Sequence, residues 1–282
     1  MQRWLMKPLE PGVCSWSIDR RKPIGSIRAA VDDLGVRVVH LGFFDAETLA
    51  ATTAGEVARA AEDCGVTISA TFAAFPGEVY KSIATVAATG GYLPDKHFES
   101  RLEMTRRVAD LSAELNVSLL AVHAGTVPED GAGDAYKKLA NRAGLVADML
   151  AERGLTLLLE TGRESAQILL RFIESLGRDN VAINYDPGNM VIYGTDDPVE
   201  AVAVLRGRIA HVHLKDALAS DQPGVTFGTE VTLGAGDASI PRVASRLRAS
   251  GYAGPLVVER TGGRGDPGTL ADSVAYLRAL VE

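Results

Sequence analysis

The sequence predicts a (β/α)8 barrel, and three observations predict it. Eight short apolar runs rich in β-branched residues alternate with eight longer segments of helical period. Several of the helical segments end in a glycine directly before the next apolar run. No Gly-x-Gly-x-x-Gly turn follows the first run, which weighs against the main rival, a doubly wound dinucleotide-binding sheet.

The elements follow in order. The first strand is expected over Val13–Ile18 and the first helix over Ile24–Leu34, closed by Gly35. Val36–Leu41 and Thr67–Phe72 are the next two strands, separated by a helical segment at Ala46–Asp63 that runs into Cys64-Gly65. A long connection, Ala73–Asp95, then precedes the helix Lys96–Leu115; connections of this length in a compact domain often act as lids. Ser118–His123, Leu155–Glu160, Val181–Asp186 and Ile209–Leu214 are the next four strands. The helices between them are Asp134–Arg153, closed by Gly154, then Glu164–Leu176 and Pro198–Arg206. Asp197-Pro198 has the form of an N-cap followed by proline at the first helical position. A second long connection, Lys215–Asp237, leads to the helix Ile240–Ser250, opened near Pro241 and closed by Gly251. The last strand is Pro255–Glu259 and the last helix Gly268–Val281.

Bulk properties fit one domain spanning residues 1–282, since no linker or shift of composition divides the chain. The net charge of −7, from 29 basic and 36 acidic residues, argues against nucleic acid as a partner. Cys14 and Cys64 form no zinc or redox motif and read as plain thiols of a reduced compartment. The start, MQRWLMKPLEPG, lacks the apolar run of a signal peptide, and no uninterrupted apolar stretch is long enough to span a bilayer. A cytoplasmic protein without a membrane partner is expected.

The chemistry gathers at the strand C-terminal ends, which in a barrel converge on one mouth. His123, Glu160, Asp186 and Glu259 end their strands, and His211 and His213 lie on the seventh. Any one carboxylate alone would read as a helix cap or salt-bridge partner. Four polar residues in register on four consecutive strands, several after near-continuous apolar runs, are not explained that way. Three converging carboxylates repel one another, and a divalent cation removes the repulsion. Carboxylates with one imidazole suit Mn2+, Mg2+, Co2+ or Zn2+. In His211-Val212-His213 the period of two puts both rings on one face. His213, nearer the mouth, is the expected ligand; His211, one layer deeper, is support or core. His40 reads as a core or second-layer residue, and His123 lies between substrate contact and satisfied core histidine.

The segments LLLETG, INYDPGNM, HVHLKD, LGAGD and LVVER, in this order and spacing, resemble the xylose isomerase-like barrel superfamily, specifically its sugar phosphate isomerase/epimerase branch. The resemblance covers nearly the whole chain and is strongest from Leu155 to Arg260. It implies that Glu160, Asp186, His213 and Glu259 ligate one divalent metal. It further implies that Glu160 and Glu259 act as acid and base on opposite faces of the substrate. Ketose 3-epimerases of that branch carry a substrate-contacting histidine three residues after the metal-binding aspartate; this chain has Asn189 there. The matching arginine after the seventh strand is also missing, with Lys215 and Asp216 in its place.

The expected substrate contacts are His123, Asn189 and Lys215, with Trp16, Phe43 and Phe44 as an apolar wall for a sugar ring. Arg264, in Thr261-Gly262-Gly263-Arg264-Gly265, could hold an anion, or the segment could be a turn that needs glycine. The function expected is metal-dependent isomerisation or epimerisation of a sugar, sugar phosphate or keto-sugar by proton transfer through an enediolate. A dehydratase or lyase on a keto-cyclitol shares that chemistry and is the alternative. An abasic-site endonuclease needs more metal ligands and a basic face than an acidic chain with five histidines offers. A non-catalytic sugar-binding barrel remains as a third class. Assembly into a homo-oligomer is left open, since no interface signature stands out.

Overall fold

The structure is a computed structural model that describes residues 9–261 and 267–282. Ten strands are described: β1 (Pro11–Cys14), β2 (Val38–Phe43), β3 (Thr67–Ala73), β4 (Leu119–Val122), β5 (Thr156–Glu160), β6 (Val181–Tyr185), β7 (Ile209–Leu214), β8 (Asp216–Leu218), β9 (Thr229–Val231) and β10 (Leu256–Val258). Eight of them close a parallel barrel in the order β1-β2-β3-β4-β5-β6-β7-β10, with β10 returning to β1. β8 and β9 form an antiparallel pair outside it. The (β/α)8 barrel expected from the sequence is the fold observed.

Parallel strands buried on both faces read as near-continuous apolar runs, and alternate residues separate into two layers. On β5, Leu157 and Leu159 join the large core between strands and helices. Leu158 faces the barrel interior, where it packs with Cys14, Trp16, Val38, Phe72, Ala121 and Val257. Continuing the same period, Glu160 follows Leu158 inward. The interior layers are therefore apolar in the middle and polar at the C-terminal end, which is what places the site.

The helices are α1 (Ser15–Asp19), α2 (Pro23–Asp32), α3 (Ala46–Ala50), α4 (Ala54–Cys64), α5 (Ile83–Thr89), α6 (Asp95–Glu114), α7 (Asp134–Ala151), α8 (Ala166–Leu176), α9 (Pro187–Tyr193), α10 (Pro198–Leu205), α11 (Ile240–Ala249) and α12 (Pro267–Val281). Gly35, Gly65, Gly154 and Gly251 all take positive φ, as a glycine stop requires. Asp197 caps α10 by accepting from the N–H groups of Val199 and Glu200. Among the described residues no helix is long and apolar enough to cross a membrane.

Two local expectations are corrected, and the two long connections carry structure of their own. The run Val13–Ile18 is not one strand: β1 ends at Cys14 and Ser15–Asp19 is a short helix. A buried apolar run carries no periodicity that separates the two states. The segment Ala46–Asp63 is two helices, because Thr53 and Glu56 form a reciprocal capping box that starts α4 afresh. The connection after β3 contains α5, also started by a capping box, from Ser82 and Thr85. The connection after β7 contains the β8–β9 pair, held by Asp216. Its buried carboxylate accepts from the N–H groups of Ala217, Gly234, Gly236 and Ala238 at 2.9–3.1 Å.

Candidate active site

Glu160 ends β5, Asp186 caps α9 directly after β6, His213 lies on β7, and Glu259 directly follows β10. Each offers one ligand atom, and these four atoms lie within 4.8 Å of one another. Asp186 faces the centre because its Oδ1 accepts the Asn189 N–H at 3.1 Å, and Pro187 opens the helix behind it. The Nδ1 of His213 stands 2.7 Å from Glu160 Oε1 and 3.6 Å from Glu259 Oε2. Its Nε2 points away, to His40 Nδ1 at 2.8 Å.

This set fits a divalent ion. The donors are three carboxylates and one imidazole, a hard oxygen-rich set with one nitrogen. Asp186 Oδ2 and Glu259 Oε2 are buried and lack a hydrogen bond of good geometry. Burial pushes the Asp186 carboxyl up to about 7; Lys215 opposes the shift, while the Glu259 and Glu160 charges add to it. Glu160 goes the other way. Against the cost of burial, the imidazoles of His123 and His213 hold it well below the usual carboxylate range. A second group, Cys14, His40 and His213, also comes close. Burial pushes the Cys14 thiol up to about 12, and its Sγ lies 3.4 Å from His213 Nε2.

Lys215 is the other cation at the centre. Its ammonium lies 2.5 Å from Glu259 Oε2, 3.2 Å from Asp186 Oδ2 and donates to Asn189 Oδ1 at 3.0 Å. Glycine allows this close approach. A Cβ on Gly188 would stand 2.6 Å from the backbone of Lys215, and one on Gly162 would stand 2.3 Å from the Cβ of Asn189. The two positions that differ from the ketose 3-epimerase pattern, Asn189 and Lys215, are thus hydrogen-bonded to each other.

Above the centre opens a cavity of about 590 Å³, lined among others by Glu160, Lys215 and Glu259. Trp16, Phe44, His123 and Asn189 also line it. The Phe44 ring lies 5.7 Å from that of Trp16, tilted by 58°, and carries the Arg20 guanidinium at 4.4 Å over its face. Trp16, at the start of α1 instead of a strand end, does more than form an apolar wall: its indole N–H donates to Glu259 Oε1 at 2.7 Å. Phe43 is not part of the wall; it is fully buried in the outer core. His123 Nε2 donates to Glu160 Oε2, and its Nδ1 meets Tyr80 Oη at 3.1 Å. Arg264 and its glycine neighbours at 262, 263 and 265 lie outside the described residues.

The sequence reading missed several residues of this region. Glu78 and Tyr80 come from the connection after β3, and Arg163 from the loop after β5; all three line the cavity. Arg163 donates to Tyr80 Oη at 2.8 Å, and Tyr80 donates to Glu78 Oε2 at 2.8 Å. The length of the connection was the only signal for the first two. Asn184, an amide inside the apolar run of β6, was passed over entirely.

An oxygen-rich donor set with one imidazole, at the C-terminal mouth of a (β/α)8 barrel and under a cavity of substrate size, defines the class: a barrel built around a candidate divalent-metal centre. The family model described as "Xylose isomerase-like TIM barrel" matches residues 28–280, and the chain belongs to that family. Among solved structures, a xylose isomerase domain protein from Planctomyces limnophilus is 29% identical, with 99% of this chain and 98% of that chain covered and a TM-score of 0.83. An L-ribulose 3-epimerase is 20% identical, with 98% and 95% covered and a TM-score of 0.71. A probable 3-DHS dehydratase involved in petrobactin synthesis from Bacillus anthracis is 18% identical, with 96% and 99% covered and a TM-score of 0.72. The last two likenesses show the fold. A search of curated proteins finds no match in sequence.

Proposed function

We propose that the protein is a metal-dependent isomerase or epimerase of a small sugar or keto-sugar. The observation that carries the reading is the convergence of Glu160, Asp186, His213 and Glu259 within 4.8 Å, with Glu160 and Glu259 lining the cavity. These four residues would hold one divalent ion. When bound, such an ion supplies Lewis-acid polarisation of a carbonyl and a neighbouring hydroxyl.

The chain's own groups supply the rest. Glu160 and Glu259 hold and return the carbon-bound proton. They approach from β5 and β10, on different sides of the centre, so two faces of one carbon are within reach. Each is aimed through its other contacts: Glu160 through His123, Glu259 through the Trp16 indole. Lys215 and Asn189, both on the cavity wall, hold substrate oxygens. Trp16 and Phe44 cover the apolar face of the sugar ring and exclude water from it.

One observation favours a second reading, dehydration of a keto-cyclitol or keto-sugar. Lys215 is a proton-bearing group next to Glu259, where the ketose 3-epimerase pattern has a different side chain. A group of that kind can protonate a departing hydroxyl. The test is incubation in D₂O with manganese and a panel of ketoses, their phosphates and keto-cyclitols. Epimerisation or isomerisation gives deuterium at the reacting carbon of a ketose; dehydration gives a product lighter by one water. A panel with neither, while sugars still bind in chelator, supports a sugar-binding barrel and contradicts both.

A further inference from the structure

The candidate ligands rest on a buried polar layer whose members come from four other positions of the barrel. Asn184 on β6 is fully buried in an otherwise mostly apolar run. Its amide is hydrogen-bonded at both ends. Oδ1 accepts from His211 Nδ1 at 2.8 Å, and Nδ2 lies 3.0 Å from both Glu160 Oε1 and His213 Nδ1. The Glu160 carboxylate can only accept, so it takes the Nδ2–H and turns Oδ1 to His211, whose proton then sits on Nδ1; His211 Nε2 lies 3.0 Å from Ser69 Oγ. On the other side His40 Nδ1 takes the Nε2–H of His213 at 2.8 Å. A His213 that turns the Nδ1 lone pair to an ion carries its proton on Nε2, and His40 Nδ1 is placed to accept it.

The backbone is bent for this layer. The described barrel pairs show two register shifts. One falls between Val39 and His40, where Val39 pairs with Ile68 but His40 pairs with Ala70, so Ser69 is the extra residue. The other falls between Ile183 and Asn184, where Ile183 pairs with Ile209 but Asn184 pairs with His211, so Ala210 is the extra residue. Both irregularities turn a polar residue into the barrel interior, as bulges next to functional sites do. An apolar layer would need neither.

We propose that Asn184 and His40 are the positioning residues of the metal centre. Asn184 aims the Glu160 carboxylate. His40 fixes the His213 ring so that Nδ1, and not Nε2, faces the carboxylates. His211 and Ser69 lock Asn184. The inference rests on the proposed metal centre, but it concerns how this chain orients its own side chains. Partners of this kind typically change metal affinity by about 10- to 100-fold when removed.

The test compares Asn184→Leu, Asn184→Ser, His40→Phe and His40→Gln with the unaltered chain, using manganese calorimetry, thermal melting in chelator and ¹⁵N spectra of the histidine rings. Asn184→Leu, Asn184→Ser and His40→Phe are expected to bind manganese about 10- to 100-fold more weakly. Asn184→Ser adds no charge, and a cooperative melt in chelator shows that it folds, which separates positioning from folding. His40→Gln keeps an acceptor and should retain most of the affinity. In the metal-free parent, the His213 Nε2 proton should appear as a hydrogen-bonded resonance that His40→Phe abolishes and His40→Gln keeps. Parent-like manganese affinity in folded Asn184→Ser and His40→Phe overturns the proposal, as does a His213 Nε2 proton indifferent to His40→Phe. If the parent binds no manganese at all, the metal reading fails by itself, and the ring spectra still decide the orientation of His213.

Discussion

The ammonium of Lys215 lies 2.5 Å from the Oε2 of Glu259, with both side chains almost fully buried. The same ammonium is 3.2 Å from Asp186, so two carboxylates of the candidate centre share one cation from the chain itself. Removing one partner of a buried pair leaves the other charge uncompensated, at a cost of about 3–5 kcal/mol. Lys215→Met should therefore melt well below the parent in chelator. Manganese should narrow the gap, because it supplies the missing positive charge. Thermal melts with and without chelator check this; an equal gap in both conditions contradicts it.

Glu160→Gln and Glu259→Gln should each reduce turnover by about 10²- to 10⁴-fold, the range of a lost general acid or base. Manganese binding should fall less than turnover does. Deuterium exchange rates set beside calorimetric affinities measure the two losses separately. A variant that loses metal and activity in equal proportion would show its glutamate to be a ligand alone.

Chelation should abolish turnover, and manganese, magnesium, cobalt or zinc should restore it to different extents. A bound ion also stabilises the fold, by about 2.7 kcal/mol at one hundred times its dissociation constant. Affinity should fall as pH is lowered, because the imidazole and carboxylates must give up protons to bind. Melting temperature as a function of metal concentration at two pH values checks both statements.

Glu164 sits behind the site, buried, with its Oε2 accepting the Val127 N–H at 3.1 Å. Burial pushes its carboxyl up from 4.5 to about 7, against the pull of that N–H and of Arg163. The folded chain therefore holds this proton more tightly than the unfolded chain. The contribution to stability is fully present below pH 4.5 and is lost as pH rises through about 7. Glu164→Gln keeps an acceptor for Val127 and cannot ionise. It should gain stability over the parent above pH 7 by roughly 1–3 kcal/mol and show little difference at pH 4.5, read by urea denaturation at the two pH values.

Asp216 satisfies four backbone N–H groups of the segment that closes the β8–β9 region. Asp216→Ala leaves several of those donors without a partner, each at about 1–3 kcal/mol. A destabilisation of at least about 3 kcal/mol is expected, measured by denaturant unfolding.

Much of this architecture was legible in the residues. Strand positions followed from apolar runs such as LTLLL, and the C-cap glycines marked helix ends that the backbone confirms. The four side chains at the ends of β5, β6, β7 and β10 could be grouped because a barrel brings strand ends to one mouth. Three kinds of detail were not legible. Val13–Ile18 is apolar without a period, so nothing in it announced that α1 would begin at Ser15 and turn the Trp16 indole toward Glu259. The cavity wall at Glu78, Tyr80 and Arg163 depends on how long connections fold back, which local patterns do not encode. The buried layer of Asn184, His211, Ser69 and His40 depends on two register shifts, and register arises from pairing between strands, not within one.

The central claim is that Glu160, Asp186, His213 and Glu259 share one ion. Anomalous diffraction from crystals soaked in manganese tests it most directly. The account predicts a single strong peak in the barrel mouth, at about 2.0–2.6 Å from a donor atom of each of the four residues, with His213 bound through Nδ1. A peak elsewhere, or none at a manganese concentration that supports turnover, would contradict it.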